Sequence, residues 1–225
     1  MDIAAALADE RRAIADRLET LTPEQWQVRT LCPAWDVHGM AAHLVVPCQF
    51  STVEMLTTMV RARGNPDRLS VLMAARRAEK SPAELVALLR EKADSRQAPP
   101  IIGIVGPYTD ALVHQQDILI PLGLTDERPA ARWRPSLDFL VSSKARIGFL
   151  PGRIPPLRYV ATDLDWSHDA GSGSAARDAV HAPAAALALA LLRRTPRLDE
   201  LAGPGAETLR EWARASPVGR VGGGE

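Results

Sequence analysis

Cys32-Pro33-Ala34-Trp35-Asp36-Val37-His38-Gly39-Met40-Ala41-Ala42-His43-Leu44-Val45-Val46-Pro47 contains a break, a helix start and the first residue that could do chemistry. The Cys32-Pro33 pair interrupts whatever precedes it, and Asp36 is a good N-cap for a helix that begins at Val37. That helix is predicted to run into the region of Arg61, with Pro47 kinking it or dividing it in two. His43 sits in it among Met40, Ala41, Ala42, Leu44 and Val45, all small or apolar. Alone, such a histidine reads as a core residue with a hydrogen-bonded partner. His38 lies about 140° from it around the helix, so the two should not face one ion.

Working outward, residues 3–20 predict an amphipathic helix. Ile3, Leu7, Ile14, Leu18 and Leu21 form a stripe, and Asp9, Glu10, Arg11 and Arg12 fall among the polar positions. Thr22-Pro23-Glu24 opens a short turn towards Trp26. After a polar break at Gly64-Asn65-Pro66, Ser81-Pro82-Ala83-Glu84 is a helix start with cap, N1 proline and N3 glutamate. A further helix opens at Gly106-Pro107, carries Leu112, Val113, Ile118, Leu119 and Leu122, and has Gly123 as C-cap. Another begins after Pro135.

The character changes near Pro151. Pro151-Gly152 and Pro155-Pro156 mark a turn or linker, and residues 157–162 alternate like a strand. Gly171-Ser172-Gly173-Ser174 reads as an exposed turn, 182–193 as a buried Ala/Leu helix, 204–215 as a shorter helix, and 218–225 as a disordered tail. The expected organisation is a helical bundle over 1–150, a small α/β domain over 151–217, and the tail.

Composition supports this. Among 225 residues 46% are apolar, 24% charged and only 4% aromatic, with Ala and Leu dominant, which suits packed helices. Lys plus Arg and Asp plus Glu each number 27, so there is no basic excess to track phosphates and a nucleic-acid partner is not expected. The N-terminus lacks the apolar core of a signal peptide. The longest apolar run, 182–192, is shorter than the roughly 20 residues a membrane span needs. Two cysteines, Cys32 and Cys48, cannot build a disulfide framework, and each reads as a small buried hydrophobe. A cytoplasmic setting, with no membrane partner and a monomer or homodimer, is the expectation.

Asp110-Ala111-Leu112-Val113-His114 places a carboxylate and an imidazole four residues apart, on one helix face. That pairing is a half-site for zinc or another divalent metal, and equally an ordinary surface pair. Asp117, three residues further, can orient the His114 ring or be a ligand itself. With His43, the two histidines and one carboxylate would leave coordination positions open, as catalytic sites do. His168 and His181 flank the Gly/Ser turn and are expected at the surface. There is no CxxC pair, phosphate loop, GxSxG elbow or HExxH.

Thr30-Leu31-Cys32-Pro33-Ala34-Trp35-Asp36-Val37 followed by His43-Leu44 resembles the entry to the second helix of the mycothiol-dependent maleylpyruvate isomerase family, DinB-like metal-binding proteins of actinobacteria. Asp110 to His114 to Asp117 resembles that family's second signature. Residues 160–166, 182–187 and 198–203 look like its small C-terminal domain. The resemblance implies a DinB-like four-helix bundle with a zinc site, mapped here to His43, Asp110 and His114. It also implies a low-molecular-weight thiol, mycothiol or a similar one, as cosubstrate, activated by the metal. In the isomerase a thiolate adds to the cis double bond of maleylpyruvate, permits rotation, and leaves to give fumarylpyruvate. An arginine of the C-terminal domain is expected to hold the anionic substrate. Arg194 is the candidate by position and Arg193 the next, although a solvated basic helix end is the plainer reading.

Two positions depart from the family pattern. Asp110 stands where Glu is usual, which shortens the ligand arm, and Gly39 stands where Asp is common. Three readings follow. One is a metal-dependent, thiol-using isomerase or S-transferase acting on a small molecule. Another is a non-enzymatic metal- or small-molecule-binding protein with a degenerate site. The third is a structural bundle with no metal.

Overall fold

The computed structural model describes residues 1–150, 152–171 and 178–215. Pro151, the expected turn from Ser172 onward and the 218–225 tail lie outside the described residues. The chain divides into two compact units, Met1–Asp126 and a second from Glu127 onward.

In the first unit every helix except the last begins where a capping side chain says it should. Asp2 caps α1 (Ile3–Glu19), accepting from the Ala4 amide at 2.9 Å. Asp36 caps α2 (Val37–Val45) through the Gly39 amide at 2.8 Å. Pro47 does divide the next stretch. A 3-10 turn over Val46–Cys48 ends α2, and Ser51 starts a new helix, α3 (Thr52–Arg61). Asn65 caps α4 (Pro66–Arg77), and α5 (Pro82–Glu91) carries the Ser81/Glu84 capping box in full. α6 (Val105–Leu119) ends as Gly123 predicts. The Leu124 amide bonds the Leu119 carbonyl at 3.0 Å and the Gly123 amide bonds Ile120 at 3.0 Å. Gly123 takes φ 66°, the left-handed residue that this closure requires.

α1 and α2 each pack on both α5 and α6, which gives a four-helix core, with α4 laid on α2 and α3 on α4. Leu7, Ile14, Leu18, Leu85, Leu89, Leu112 and Ile118 are buried to 2% exposure or less. Each contributes about 1.5–3 kcal/mol of transfer free energy, an upper estimate. Two residues of the α1 polar set, Glu10 and Arg11, do not face water. Arg11 is 2% exposed and donates to the carbonyls of Ala93 (2.9 Å), Ser95 (2.7 Å) and Pro47 (3.4 Å). Those carbonyls lie where chain segments end, and a guanidinium fork satisfies several at once.

The second unit holds α7 (Arg134–Leu140), a three-stranded sheet and two further helices. β1 (Arg158–Ala161) is central, pairing antiparallel with β2 (Ser167–Asp169) and parallel with β3 (Ala179–Ala182). α8 (Ala184–Leu191) is buried along its whole length, and α9 (Ala206–Arg214) packs on it and on β3. Asp163, in the β1–β2 turn, accepts the first α8 amide (Ala184) at 2.8 Å, so the strand turn starts the helix. The compact units thus divide at Asp126/Glu127. The reason is packing: α7 lies against α8, and Leu137 and Leu140 are fully buried. Among the described residues no helix is long and apolar enough to cross a membrane.

Candidate metal centre

Two helices of the first unit bring the candidate residues together. α2, in which Val37, Met40, Ala41 and Val45 are inaccessible, presents His43. α6 presents Asp110 and His114 one turn apart. One ligand atom from each of His43, Asp110 and His114 lies within 4.8 Å of the others. The His43 and His114 rings meet edge to face, with centroids 4.9 Å apart and planes at 89°. Both are buried, at 8% and 7% exposure, whereas the Asp110 side chain keeps 31% of its surface open. The centre therefore has a buried imidazole floor and a carboxylate at its rim.

The polar atoms divide between those engaged within the protein and those left over. His114 Nδ1 lies 2.8 Å from Asp117 Oδ2, and the Asp117 side chain is fully buried. A carboxylate in that position fixes the ring's orientation and leaves Nε2 outward. That Nε2 is 3.8 Å from Asp110 Oδ1. His43 Nδ1 is buried and has no hydrogen-bond partner among the described residues. An orphaned buried imidazole nitrogen is costly unless something binds at its ring. Burial, with the neighbouring His114 second and against the opposing pull of Asp117, holds the His43 pKa well below the ordinary histidine value. The imidazole is consequently neutral, the form that binds metals.

The donor set fits a divalent first-row metal. Tetrahedral bonds of about 2.0–2.2 Å put neighbouring ligand atoms about 3.4 Å apart. The 3.8 Å between Asp110 Oδ1 and His114 Nε2 is close to that spacing, and the three ligand atoms all lie within 4.8 Å of one another. Asp117 occupies the position behind a ligating histidine that carboxylates commonly take.

The sequence did not reveal the part played by Trp35. Its indole lies nearly parallel on His43, with centroids 4.5 Å apart and planes at 21°, and meets His114 edge-on at 6.2 Å. Its sequence signals were its place immediately before the helix cap and in the Thr30–Val37 motif, neither of which says what the ring covers. Other expectations resolve simply. His38 turns away, with Nε2 2.9 Å from the Lys80 carbonyl and its ring edge-on to Trp26. Cys32 and Cys48 are buried, and burial raises the Cys48 thiol pKa. His168 and His181 are half-buried in β2 and β3 and not fully exposed; His168 stacks on Trp166.

The second unit places the two arginines. Arg194 is 8% exposed and its guanidinium donates to the Leu192 carbonyl at 3.0 Å, so it is not a solvated helix end. Arg193 takes a left-handed φ of 62° at the close of α8 and lies 4.2 Å over the Trp212 ring. Neither belongs to the compact unit that holds His43, Asp110 and His114.

No curated protein sequence matches the chain. Two solved structures resemble it, each aligned over 91% of both chains at 11% identity. One is the mycothiol-dependent maleylpyruvate isomerase, with a TM-score of 0.54. The other is a histidine-to-alanine mutant of the mycothiol-dependent maleylpyruvate isomerase, at 0.58. At that identity the likeness is one of fold. Residues 7–100, somewhat less than half of the chain, match the family model described as the mycothiol maleylpyruvate isomerase N-terminal domain.

Proposed function

We propose that the chain is a metal-dependent enzyme that uses a low-molecular-weight thiol, of isomerase or S-transferase type, with His43, Asp110 and His114 as the metal ligands. The observation that carries this is the convergence of three ligand atoms within 4.8 Å, backed by a buried carboxylate on one imidazole and by an orphaned nitrogen on the other. A structural bundle would have no cause to bury two imidazoles and leave one of them unsatisfied. A divalent cation in this position, zinc by donor type, favours the thiolate form of a bound thiol at neutral pH.

The chain's own residues supply the rest. Asp117 holds His114 in one orientation. The Trp35 ring covers a face of His43 and keeps water off it. Asp110, at the rim, is the ligand that faces arriving small molecules, which gives an exchangeable side to an otherwise buried centre. Arg194, as a holder of an anionic substrate, remains part of the proposal on family resemblance alone. Mycothiol is the thiol that the family's description names, and cis-unsaturated acids are the substrate class to screen.

The test is calorimetric titration of mycothiol into the metal-loaded and the metal-stripped protein, followed by turnover assays with cis-enoyl acids. Thiol binding that needs the metal supports the enzyme. Metal binding without any thiol affinity would instead identify a binding module that has kept the centre and lost the reaction.

A further inference from the structure

Gly39 was notable in the sequence for the carboxylate it lacks, but the structure shows what fills the space. A Cβ built on Gly39 would lie 2.9 Å from Trp35 Cδ1, 3.2 Å from Trp35 Cβ and 3.3 Å from Asp36 Oδ1. Its φ is not in the left-handed range, so the glycine is not there for backbone reasons. An α-helix would favour alanine at such a position. Close approach of the indole is what uses the missing side chain.

The indole cannot retreat by moving its backbone. The Trp35 carbonyl accepts the Thr30 amide at 3.2 Å and lies 2.8 Å from the Thr30 hydroxyl. The Trp35 amide donates to the Cys32 carbonyl at 3.1 Å. The same loop is tied to α6, where the Leu31 amide donates to the Asp117 carbonyl at 3.1 Å. Asp117 thus orients His114 with its side chain and anchors the Trp35 loop with its main chain. With its backbone held, the indole relieves the 2.9 Å approach to Cδ1 by rotating about its own side-chain bonds, which changes its seat on His43.

We propose that Trp35 is the positioning residue for His43, and that Gly39 is the gap in α2 that lets the indole seat on that imidazole. The ring stacked at 4.5 Å fixes the His43 plane, as Asp117 fixes that of His114. Each histidine then has its own orienting partner, one aromatic and one anionic. Preorganisation of this kind keeps ligand atoms within the narrow tolerance that metal bonds demand.

This rests on the ligand set proposed above, and two readouts separate their failures. In metal-free protein, carbon–proton correlation spectra report the His43 ring protons, which the stacked indole shifts upfield. Gly39→Ala and Trp35→Leu should both move those resonances towards ordinary histidine values, and Trp35→Phe should keep most of the shift. Zinc affinity, measured by competition with a chromogenic chelator, should fall about 10–100-fold in the first two variants and stay within a few-fold in Trp35→Phe, the range typical of residues that orient ligands. Helical circular dichroism controls for folding, and Trp35→Leu serves if Gly39→Ala does not fold. His43 resonances that stay in place in Gly39→Ala would overturn the proposal, as would resonances that move with no change in zinc affinity. A wild-type protein that takes up no zinc but shows the shifted resonances would overturn the ligand set and leave the stack standing.

Discussion

Replacing Asp117 tests how far the centre depends on a residue that need not touch the metal. The carboxylate is fully buried and lies 2.8 Å from His114 Nδ1, a normal distance for a charge-assisted hydrogen bond. Asp117→Asn keeps the shape and an acceptor oxygen, so the ring can hold its orientation but loses the added basicity. Asp117→Ala removes both. Partners of this kind are worth about 10–100-fold in metal affinity, or about 1.4–2.8 kcal/mol at 1.4 per tenfold. The asparagine variant should fall near the lower figure and the alanine variant near the upper. Neither change disturbs the main-chain bond from Leu31 to the Asp117 carbonyl, so the Trp35 loop should stay in place. The assay is zinc competition at neutral pH, with denaturant unfolding of the metal-free protein as the control. Zinc affinity in a folded Asp117→Ala equal to wild type would refute the orienting role.

Three further outcomes follow from particular contacts. Asp110→Ala should weaken zinc binding, and Asp110→Glu should tighten it by no more than about threefold, because the carboxylate already stands near the spacing that zinc ligands need; a tenfold gain in the same assay would show the native arm to be too short. Arg77 pairs bidentately with Glu54, one contact at 2.8 Å, and its hydrogen bond holds the Glu54 carboxyl below the usual range. The pair's contribution is therefore complete above the unfolded glutamate pKa and is lost as pH falls through the lower folded value, so unfolding midpoints for Glu54→Gln should converge with wild type on acidification; parallel curves would contradict this. Cys32 and Cys48, 7% and 3% exposed, should resist a thiol reagent in the native protein and react on unfolding; rapid native labelling of Cys48 would contradict its burial.

Much of the first unit was legible because its helices announce their ends. Asp36, Ser81-Pro82-Ala83-Glu84, Pro47 and Gly123 each carry a local signal that needs no tertiary information, and each acts as its chemistry dictates. His43, Asp110 and His114 could be picked out by type and helical spacing, and the structure gathers them. What depended on packing could not be seen. Arg11 lies within a charged run, yet partners 82 and 84 residues away bury it. Trp35 looked like part of a break, because nothing local says that it folds back over α2. Gly39 looked like a lost carboxylate, whereas its meaning is steric. β2 and β3 are three and four residues long, too short to show a period, and β3 pairs in parallel across a chain reversal. The expected boundary at 150 was read from prolines, which are local; the compact units reflect the packing of α7 on α8, which is not.

The central claim is that His43, Asp110 and His114 form a metal site. The most direct test is elemental analysis of tag-free protein purified without chelator, then zinc titration of wild type beside His43→Ala and His114→Ala. About one zinc per chain is expected in the wild type at native fold, with stoichiometric binding lost in both variants while their helical circular dichroism is kept. A wild-type protein that holds no metal and takes up no zinc, or variants that retain it, would contradict the account.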